Sequence, residues 1–237
     1  MTEAKAIMLE NVSAGYRDGR PVLRGLSFVL EPGERVALIG PTGAGKSTLF
    51  SVLTGLLPVE AGRAGVAGLA LERANYRAIR RKVGLVFQDP DDQLFMPTVL
   101  DDVTFGPLNQ GATDAQAERL ARDALQRLGV AGLADRFPRH LSYGERKRVA
   151  MAAVLCQGPE IWLLDEPTAN LDPRHRRLLI DLVADLQGTL ILATHDLDAA
   201  ARLCRRVIIL NEGRVVADGP AAEILGDEDL LDRAGLR

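Results

Sequence analysis

The stretch Gly40-Pro41-Thr42-Gly43-Ala44-Gly45-Lys46-Ser47-Thr48 decides the fold of this chain. It follows the apolar run Arg35–Ile39, which is typical of a buried strand, and it opens a helical pattern over Lys46–Leu53. Its glycines let backbone N–H groups turn inward around an anion, and the helix directs its positive dipole end to the same place. A glycine-rich turn is the alternative, but a strand, this loop and a helix in succession predict a phosphate-binding loop.

The residue types of the loop indicate separate roles at a bound ATP. Lys46 offers a flexible positive charge to the β and γ phosphates, and Ser47 offers a hydroxyl to Mg²⁺. The candidate nucleotide-binding residues are Gly40, Pro41, Thr42, Gly43, Ala44, Gly45, Lys46, Ser47 and Thr48.

Short apolar runs alternate with helical patterns along the rest of the chain. Predicted strands are Arg35–Ile39, Val83–Phe87, Ile161–Leu164, Thr189–Ala193 and Val207–Leu210. Predicted helices are Lys46–Leu53, Asp114–Leu128, Tyr143–Leu155, His175–Leu186 and Leu197–Leu203. Because the strands lack polar alternation and helices separate them, they predict an α/β phosphate-loop NTPase core with a mostly parallel sheet.

Three regions depart from this alternation. The runs Ala6–Leu9 and Leu26–Leu30, with turn signals at 17–19 and 31–33, predict an N-terminal antiparallel β subdomain. The tail predicts a hairpin that turns at 211–213, followed by short helices. We expect one domain over 1–237, in which 1–88 and 159–237 form the core with its β subdomain and 89–158 form an inserted helical subdomain.

The composition of the 237 residues limits the classes of function. A net charge of −3 differs from the basic footprint of nucleic-acid-binding domains, so no nucleic-acid partner is expected. Cys156 and Cys204 each lie alone in an apolar segment and are predicted to be buried thiols in a reducing compartment. The sequence shows no secretory signal and no apolar stretch of about 18 residues, so a membrane process would need a membrane partner.

Two predicted strands end in polar residues that can act on a nucleotide. Asp165 and Glu166 follow Ile161–Leu164, and His195 comes shortly after Thr189–Ala193. Open α/β sheets bind ligands at the carboxyl ends of their strands. We expect Asp165 to hold Mg²⁺ through water, Glu166 to polarise the attacking water and His195 to reach the γ-phosphate. Taken alone, an acidic pair is more often a solvated loop, and a single histidine is more often structural.

The segment Leu141-Ser142-Tyr143-Gly144-Glu145 opens a predicted helix, where Ser142 suits the N-cap and Gly144 permits close backbone approach. With the phosphate loop and the strand-end acids, it resembles the signature of ABC transporter ATP-binding subunits, with Tyr143 where glycine is commoner. The resemblance implies that Ser142 and Gly144 complete the ATP pocket of an opposite protomer in a head-to-tail dimer. Ser142 as a plain helix cap is the alternative, and both can hold.

The same resemblance covers nearly the whole chain and implies further roles. Tyr16 corresponds to an aromatic residue that stacks on adenine. Gln88 corresponds to a glutamine at the Mg²⁺ and γ-phosphate that also senses the membrane subunit, and 169–172 to a loop that links the two ATP sites. The resemblance implies a transport-coupled ATP hydrolase in a homodimer, peripheral at the cytoplasmic face of the membrane beside integral membrane subunits.

Residues 88–95, with 97–99 and 101–107 downstream, are similar to the ATPases of energy-coupling factor importers. Tyr143 followed by 145–148 is most similar to the cobalt and nickel branch, and an importer of a vitamin or another small solute is the alternative. The acidic cluster comprises Asp89, Asp91 and Asp92. We expect it either to receive arginines of a membrane subunit or to form a solvated loop.

The remaining polar positions are expected to have no functional role. The pattern predicts a solvated helix face for Arg146, Lys147 and Arg148. His140 precedes a helix start, and His175 falls on a polar helix face.

Two other classes of protein carry a phosphate loop. A soluble ABC ATPase that acts on DNA or ribosomes usually has a long coiled coil, a zinc module or two fused ATPase halves, and this sequence has none of these. A small-molecule kinase would not need the helix start at Ser142 or the loop 169–172. The transport ATPase is therefore the favoured prediction.

Substitution Lys46→Ala tests the nucleotide site. We expect the variant to lose most of its MgATP affinity, because the charge that faces the β and γ phosphates is removed. Isothermal calorimetry measures the affinity, and a near-normal value would contradict the assignment of the site.

Overall fold

A computed structural model describes residues 5–16 and 21–236. Its strands are β1 Ile7–Gly15, β2 Pro21–Leu30, β3 Arg35–Ile39, β4 Ala61–Val66, β5 Leu69–Ala70, β6 Val83–Val86, β7 Ile161–Asp165, β8 Thr189–Ala193, β9 Arg206–Asn211 and β10 Arg214–Pro220. Its helices are α1 Lys46–Leu53, α2 Tyr76–Lys82, α3 Val99–Gln110, α4 Asp114–Arg127, α5 Tyr143–Leu155, α6 Pro173–Ala184, α7 Leu197–Leu203, α8 Ala221–Gly226 and α9 Glu228–Arg233. These elements fall into two units.

The first unit contains the described residues up to Val83, Glu160–Glu166 and those from Gln187 onward. Its larger sheet has the order β10-β9-β3-β8-β7, in which β9, β3, β8 and β7 are parallel. Every residue of β7 and β8 is buried, as expected of parallel strands that are covered on both faces. The parallel strands therefore deliver their carboxyl ends to one edge of the sheet.

A second sheet of this unit is antiparallel and has the order β2-β1-β4-β5. Along β2, the side chains of Leu26, Phe28 and Leu30 are buried and those between them are exposed or half-buried, which is the alternation of a sheet with one covered face. This sheet confirms the predicted β subdomain. The predicted turn at Arg17–Gly19 lies outside the described residues.

The second unit contains Gly84–Pro159 and Pro167–Leu186. Helices α3, α4 and α5 pack on one another, and each contributes fully buried apolar residues such as Val103, Leu125 and Val149. Thr98, Thr113 and Ser142 accept hydrogen bonds from the first turns of these three helices, so the sequence fixes where each helix begins.

The predicted elements agree closely with the structure. Helices α1, α5 and α7 have the predicted bounds, and strands β3 and β6–β9 differ from prediction by at most a residue at either end. Helix α6 begins at Pro173, earlier than predicted, because Asp172 caps it. Its residues group with the second unit, whereas the sequence placed them in the core. The boundaries of the predicted helical subdomain remain a prediction.

Two further expectations concern single residues and spans. Cys156 and Cys204 are free and buried, as predicted, and burial raises the pKa of each thiol to about 12. Within the described part of the chain, no helix has the length and apolar character that a membrane span requires.

Candidate nucleotide site

The predicted phosphate loop runs from the end of β3 to the start of α1. Gly45 has a φ of 106°, in the left-handed region that favours glycine. A Cβ on Gly40 would stand 2.1 Å from the carbonyl oxygen of Leu210, so the loop rests directly on the end of β9. From the adjacent hairpin turn, the amide of Gly213 donates to the carbonyl of Ala44 at 3.1 Å. The hairpin predicted at 211–213 therefore contacts the phosphate loop directly and stabilises its position.

The ammonium group of Lys46 lies over the loop. Its Nζ donates to the carbonyl oxygens of Gly40 at 2.6 Å and Pro41 at 3.2 Å. Burial lowers the pKa of Lys46, while the charges of Glu166 and Asp165 act in the opposite direction. The three predicted residues thus share one electrostatic environment in the first unit.

Glu166 follows β7 with a φ of 44° and is 7% exposed. Its Oε2 lies 2.9 Å from Nδ1 of His195, and it accepts from the His195 amide and the Thr194 hydroxyl, each at 3.3 Å. Asp165 pairs with Ala193 in the parallel register of β7 and β8, so the residues that follow the two strands emerge side by side. The structure therefore brings Glu166 and His195 into direct contact, with the imidazole side chain 70% exposed.

Asp165 and Ser47 are the predicted metal ligands of the first unit. Asp165 ends β7 and is 6% exposed, whereas Ser47 is exposed in the first turn of α1. Among residues 5–16 and 21–236, no group of three or more His, Cys, Asp or Glu side chains is placed to hold a metal ion. A carboxylate and a hydroxyl are hard oxygen donors, and Mg²⁺ usually completes its shell with water and substrate phosphates, so this donor set fits Mg²⁺.

Helix α5 begins at a capping box. The amide and the hydroxyl of Ser142 donate to the Glu145 carboxylate at 2.8 and 2.7 Å, and the Glu145 amide donates to the Ser142 hydroxyl at 3.4 Å. The bonds from Ser142 are the main cause that lowers the pKa of Glu145. Ser142 is therefore a helix cap, as its simpler interpretation predicted, and it is exposed to solvent. Its contact with a nucleotide remains a prediction.

The three cations that follow the capping box do not form the predicted solvated face. Lys147 is 1% exposed and Arg148 is 9% exposed, while Arg146 Nε lies 2.9 Å from the carboxylate of Asp91. Lys147 Nζ donates to the backbone carbonyl of Gln88 at 2.6 Å. The prediction was wrong because the partner of Lys147 is a main-chain carbonyl 59 residues earlier, which leaves no signal in the helix pattern.

His175 was assigned no role from the sequence, yet it has two specific contacts. Its Nδ1 lies 2.5 Å from Asp172, and this hydrogen bond is the first cause that lowers the pKa of Asp172 to about 2. A Cβ on Gly144 would stand 3.3 Å from the His175 ring, so the glycine permits the ring to lie against α5. The Asp-Pro-x-His spacing at the start of α6 was the available sequence signal, because an N-cap aspartate reaches three residues on.

The other predicted site residues are placed separately. Tyr16 is in the first unit, directly after β1, and is 51% exposed. Gln88 is exposed and follows β6 in the second unit. Ser142 and Gly144 belong to the same unit, where Ser142 is exposed and Gly144 is half-buried. The roles of these four residues at ATP or Mg²⁺ remain predictions.

Comparison with known proteins identifies the kind of protein that carries this arrangement. The family model described as "ABC transporter" matches residues 23–169. The energy-coupling factor transporter ATP-binding protein EcfA of Methanothermobacter thermautotrophicus is 45% identical over 98% of this chain and 76% of its own length.

Two solved structures have the same fold over most of their length. CbiO1 of Clostridium perfringens, part of the ABC transporter complex CbiONQ, has a TM-score of 0.84 at 35% identity, over 99% of this chain and 96% of its own. A dimeric ATP-binding cassette in a post-hydrolysis state, bound to ADP and phosphate, has a TM-score of 0.81 at 27% identity, over 91% of this chain and 98% of its own.

Substitution Ser142→Ala tests the cap of α5. We expect it to lower the free energy of unfolding by about 1 kcal/mol at pH 7. Ser142 lowers the pKa of Glu145, so its bonds to the ionised Glu145 carboxylate stabilise the folded chain fully at pH values above the ordinary carboxyl pKa. This contribution to the free energy of unfolding disappears as the pH falls through the lowered pKa.

Urea unfolding at pH 7 and at about pH 3 measures the two losses. Ser142→Gly is the matched control, because glycine retains most of the N-cap preference while lacking the hydroxyl. An equal loss for Ser142→Ala at both pH values would contradict the link between Ser142 and Glu145.

Proposed function

Since this chain belongs to the ABC transporter family and is an ATP-hydrolysing subunit, we propose that it drives an importer of the energy-coupling factor type. In this proposal it is a peripheral protein on the cytoplasmic face, bound to integral membrane subunits. The observation that carries the catalytic part is the contact of Glu166 with His195 at the strand ends, in the electrostatic field of Lys46. The resemblance to EcfA and CbiO1 supports the transport class.

Glu166 is proposed to position and polarise the water that attacks the γ-phosphate. Its carboxylate is nearly buried, accepts hydrogen bonds from the Thr194 hydroxyl and the His195 amide, and lies 2.9 Å from Nδ1 of His195, so its orientation is restricted. His195 is proposed to contact the γ-phosphate through its exposed ring. A nucleophile-orienting carboxylate and a group that holds the transferred phosphate are the parts that phosphoryl transfer needs.

The loop from Gly40 to Thr48 is proposed to bind the phosphates, with Lys46 as the main charge and Tyr16 stacked on adenine. Asp165 and Ser47 would hold Mg²⁺, joined by Gln88. When bound, the ion would neutralise part of the negative charge of the phosphates. For Lys46, ATP binding would exchange the two carbonyl acceptors of the loop for phosphate oxygens, which form stronger charge-assisted bonds.

A second copy of the chain is proposed to complete each ATP site. The family forms such dimers, and one of the similar structures is dimeric with ADP and phosphate. In this chain the start of α5 is exposed at Ser142, with backbone amides and a positive dipole end suited to a phosphate. Ser142 and Gly144 would therefore contact the ATP that is held by the opposite protomer.

Substitution Glu166→Gln tests both the catalytic role and the dimer. The amide keeps the size of the side chain but cannot act as a base, so we expect ATP binding to persist and turnover to fall by about a thousandfold or more. ATP that is not hydrolysed stays at the seam, so the variant should elute as a dimer in gel filtration with MgATP and as a monomer without it. A variant that still hydrolyses ATP, or that stays monomeric at high concentration with ATP, would contradict the proposal.

The membrane subunit is proposed to dock on a patch of the second unit formed by Asp92, Phe95 and Phe105. Phe95 and Phe105 are 65% and 42% exposed, and their rings meet edge-to-face at 5.3 Å. Exposed aromatic pairs beside charge are typical of contact surfaces. Asp89 and Asp91 contribute less than predicted, because Asp89 caps the turn at 90–92 and Asp91 faces Arg146.

Cobalt or nickel ions are the proposed cargo, and the similarity to CbiO1 supports this branch. Import of a vitamin or another small solute is the second candidate, because EcfA carries no cargo in its name. Uptake of radioactive nickel by cells that express the chain with its membrane subunits separates the two candidates.

The docking patch is tested by the double substitution Asp92→Asn with Phe95→Ala. Loss of one rim charge and one exposed aromatic anchor together is expected to weaken co-purification with the membrane subunits by about tenfold. Asp123→Asn, on the exposed face of α4, is the matched charge control. Unchanged co-purification with normal MgATP affinity would return Asp92 to a solvated loop, and lost affinity would place the patch in the nucleotide site.

A further inference from the structure

Tyr143 is the first residue of α5 and is half-buried, whereas the preceding Ser142 is exposed. Its hydroxyl donates to the backbone carbonyl of Gln88 at 3.3 Å. The Asn170 side chain lies near the same phenol and acts, as a hydrogen-bonding group, to lower the pKa of Tyr143. Since a tyrosine hydroxyl donates one hydrogen bond and accepts others, both contacts can form at once.

The carbonyl of Gln88 has a second donor from the same helix. Lys147 Nζ donates to it at 2.6 Å, one turn further along α5. The ammonium group also lies 5.7 Å from the centre of the Tyr143 ring, as does the guanidinium of Arg146. The ring and the two cations therefore form one cluster beneath the segment that carries Gln88, and Arg146 extends it to Asp91.

The phenol stays a donor over the physiological pH range. Burial raises the pKa of Tyr143, which outweighs the opposite effect of the hydrogen bond from Asn170. Asn170 has a φ of 60°, a backbone conformation that nonglycine residues adopt rarely. Asparagine tolerates that conformation better than most residues.

We propose that Tyr143 is a positioning residue, which ties the segment 88–92 and the loop 167–172 to the start of α5 so that the three move together. Tyr143 touches no reacting atom in this proposal. It acts through the Gln88 carbonyl and the Asn170 side chain. When a nucleotide binds at Ser142, the resulting change in position of α5 is passed through Tyr143 to the segment 88–92. This step rests on the proposed dimer, whereas the hydrogen bond from Tyr143 to the Gln88 carbonyl lies within one chain.

A purely local role for Tyr143 has different consequences. If the ring only covers Lys147 and Arg146, phenylalanine is an adequate replacement, because it keeps the face of the ring over both cations. If the hydroxyl is the tie, phenylalanine removes it and leaves Lys147 as the remaining donor to Gln88. The substitution Tyr143→Phe therefore separates the two roles without opening a cavity.

Amide hydrogen exchange of the full-length chain is the test, with the segments 88–93, 143–147 and 167–172 followed separately. The matched control is Tyr76→Phe, because the Tyr76 ring also lies under an arginine, Arg80, at 5.7 Å. Without nucleotide, Tyr143→Phe should raise exchange about fivefold in 88–93 and in 167–172, since one hydrogen bond of ordinary strength corresponds to between about two- and tenfold. Exchange in the control should equal that of the parent chain.

The same variants in the Glu166→Gln chain with MgATP test the transmission. In the parent, ATP should protect 143–147 and 88–93 together. In Tyr143→Phe, the protection of 143–147 should remain while that of 88–93 falls about fivefold, with an unchanged Kd for MgATP. In the hydrolytically active chain, kcat per MgATP-binding site should fall by a similar factor at an unchanged KM. Counting the sites by calorimetry is needed here, because a loss of folded protein would also lower the apparent kcat at an unchanged KM.

Failure of the inference and failure of the proposed function give different results. If Tyr143→Phe leaves exchange of 88–93 and 167–172 unchanged without nucleotide, the hydroxyl is not a tie and the inference is overturned. If the Glu166→Gln parent gains no protection at 143–147 with MgATP, the proposed dimer fails, and so does the transmission. The nucleotide-free result then still decides whether Tyr143 positions these segments.

Discussion

The parallel register of β3, β8 and β7 is the constraint on which the nucleotide site depends. Leu38 pairs with Ala193, and Ala193 in turn pairs with Asp165, so the three strands end at the same level. The backbone hydrogen bonds of buried strands must all be satisfied, which leaves no freedom to shift one strand along another. Because the strands end together, a phosphate loop, a carboxylate and an imidazole emerge at one edge, although they are distant in sequence.

This dependence explains how much the sequence could predict. The apolar runs are short, unbroken and separated by helices, so their ends could be placed to within a residue, and the chemistry followed from what stands after each end. The contact of Glu166 with His195 follows from strand order, since β7 and β8 are neighbours. The support of the loop by Gly213 could not be predicted, because it requires knowing that the hairpin of β9 and β10 lies beside β3.

The second unit was less predictable for a physical reason. On a helix, an arginine or lysine that is buried against a distant carbonyl has the same spacing as one that faces water. Lys147 was therefore misassigned, and only the position of Gln88 reveals its partner. The contact of the His175 ring with Gly144 could not be predicted either, because the two residues lie on different helices and a glycine leaves no side-chain pattern.

The burial of Lys147 gives the Gln88 carbonyl a fixed position. An ammonium group taken out of water without hydrogen bonds costs several kcal/mol, so the folded chain must keep an acceptor at its tip. Gln88 supplies an acceptor from the segment that follows β6, so a movement of this segment away from α5 would break a charge-assisted hydrogen bond. Tyr143 adds a weaker, neutral bond to the same oxygen, 3.3 Å away, and can lose it at a smaller cost. The Gln88 carbonyl thus accepts one strong hydrogen bond, from Lys147, and one weaker hydrogen bond, from Tyr143, and both donors belong to the first turns of α5.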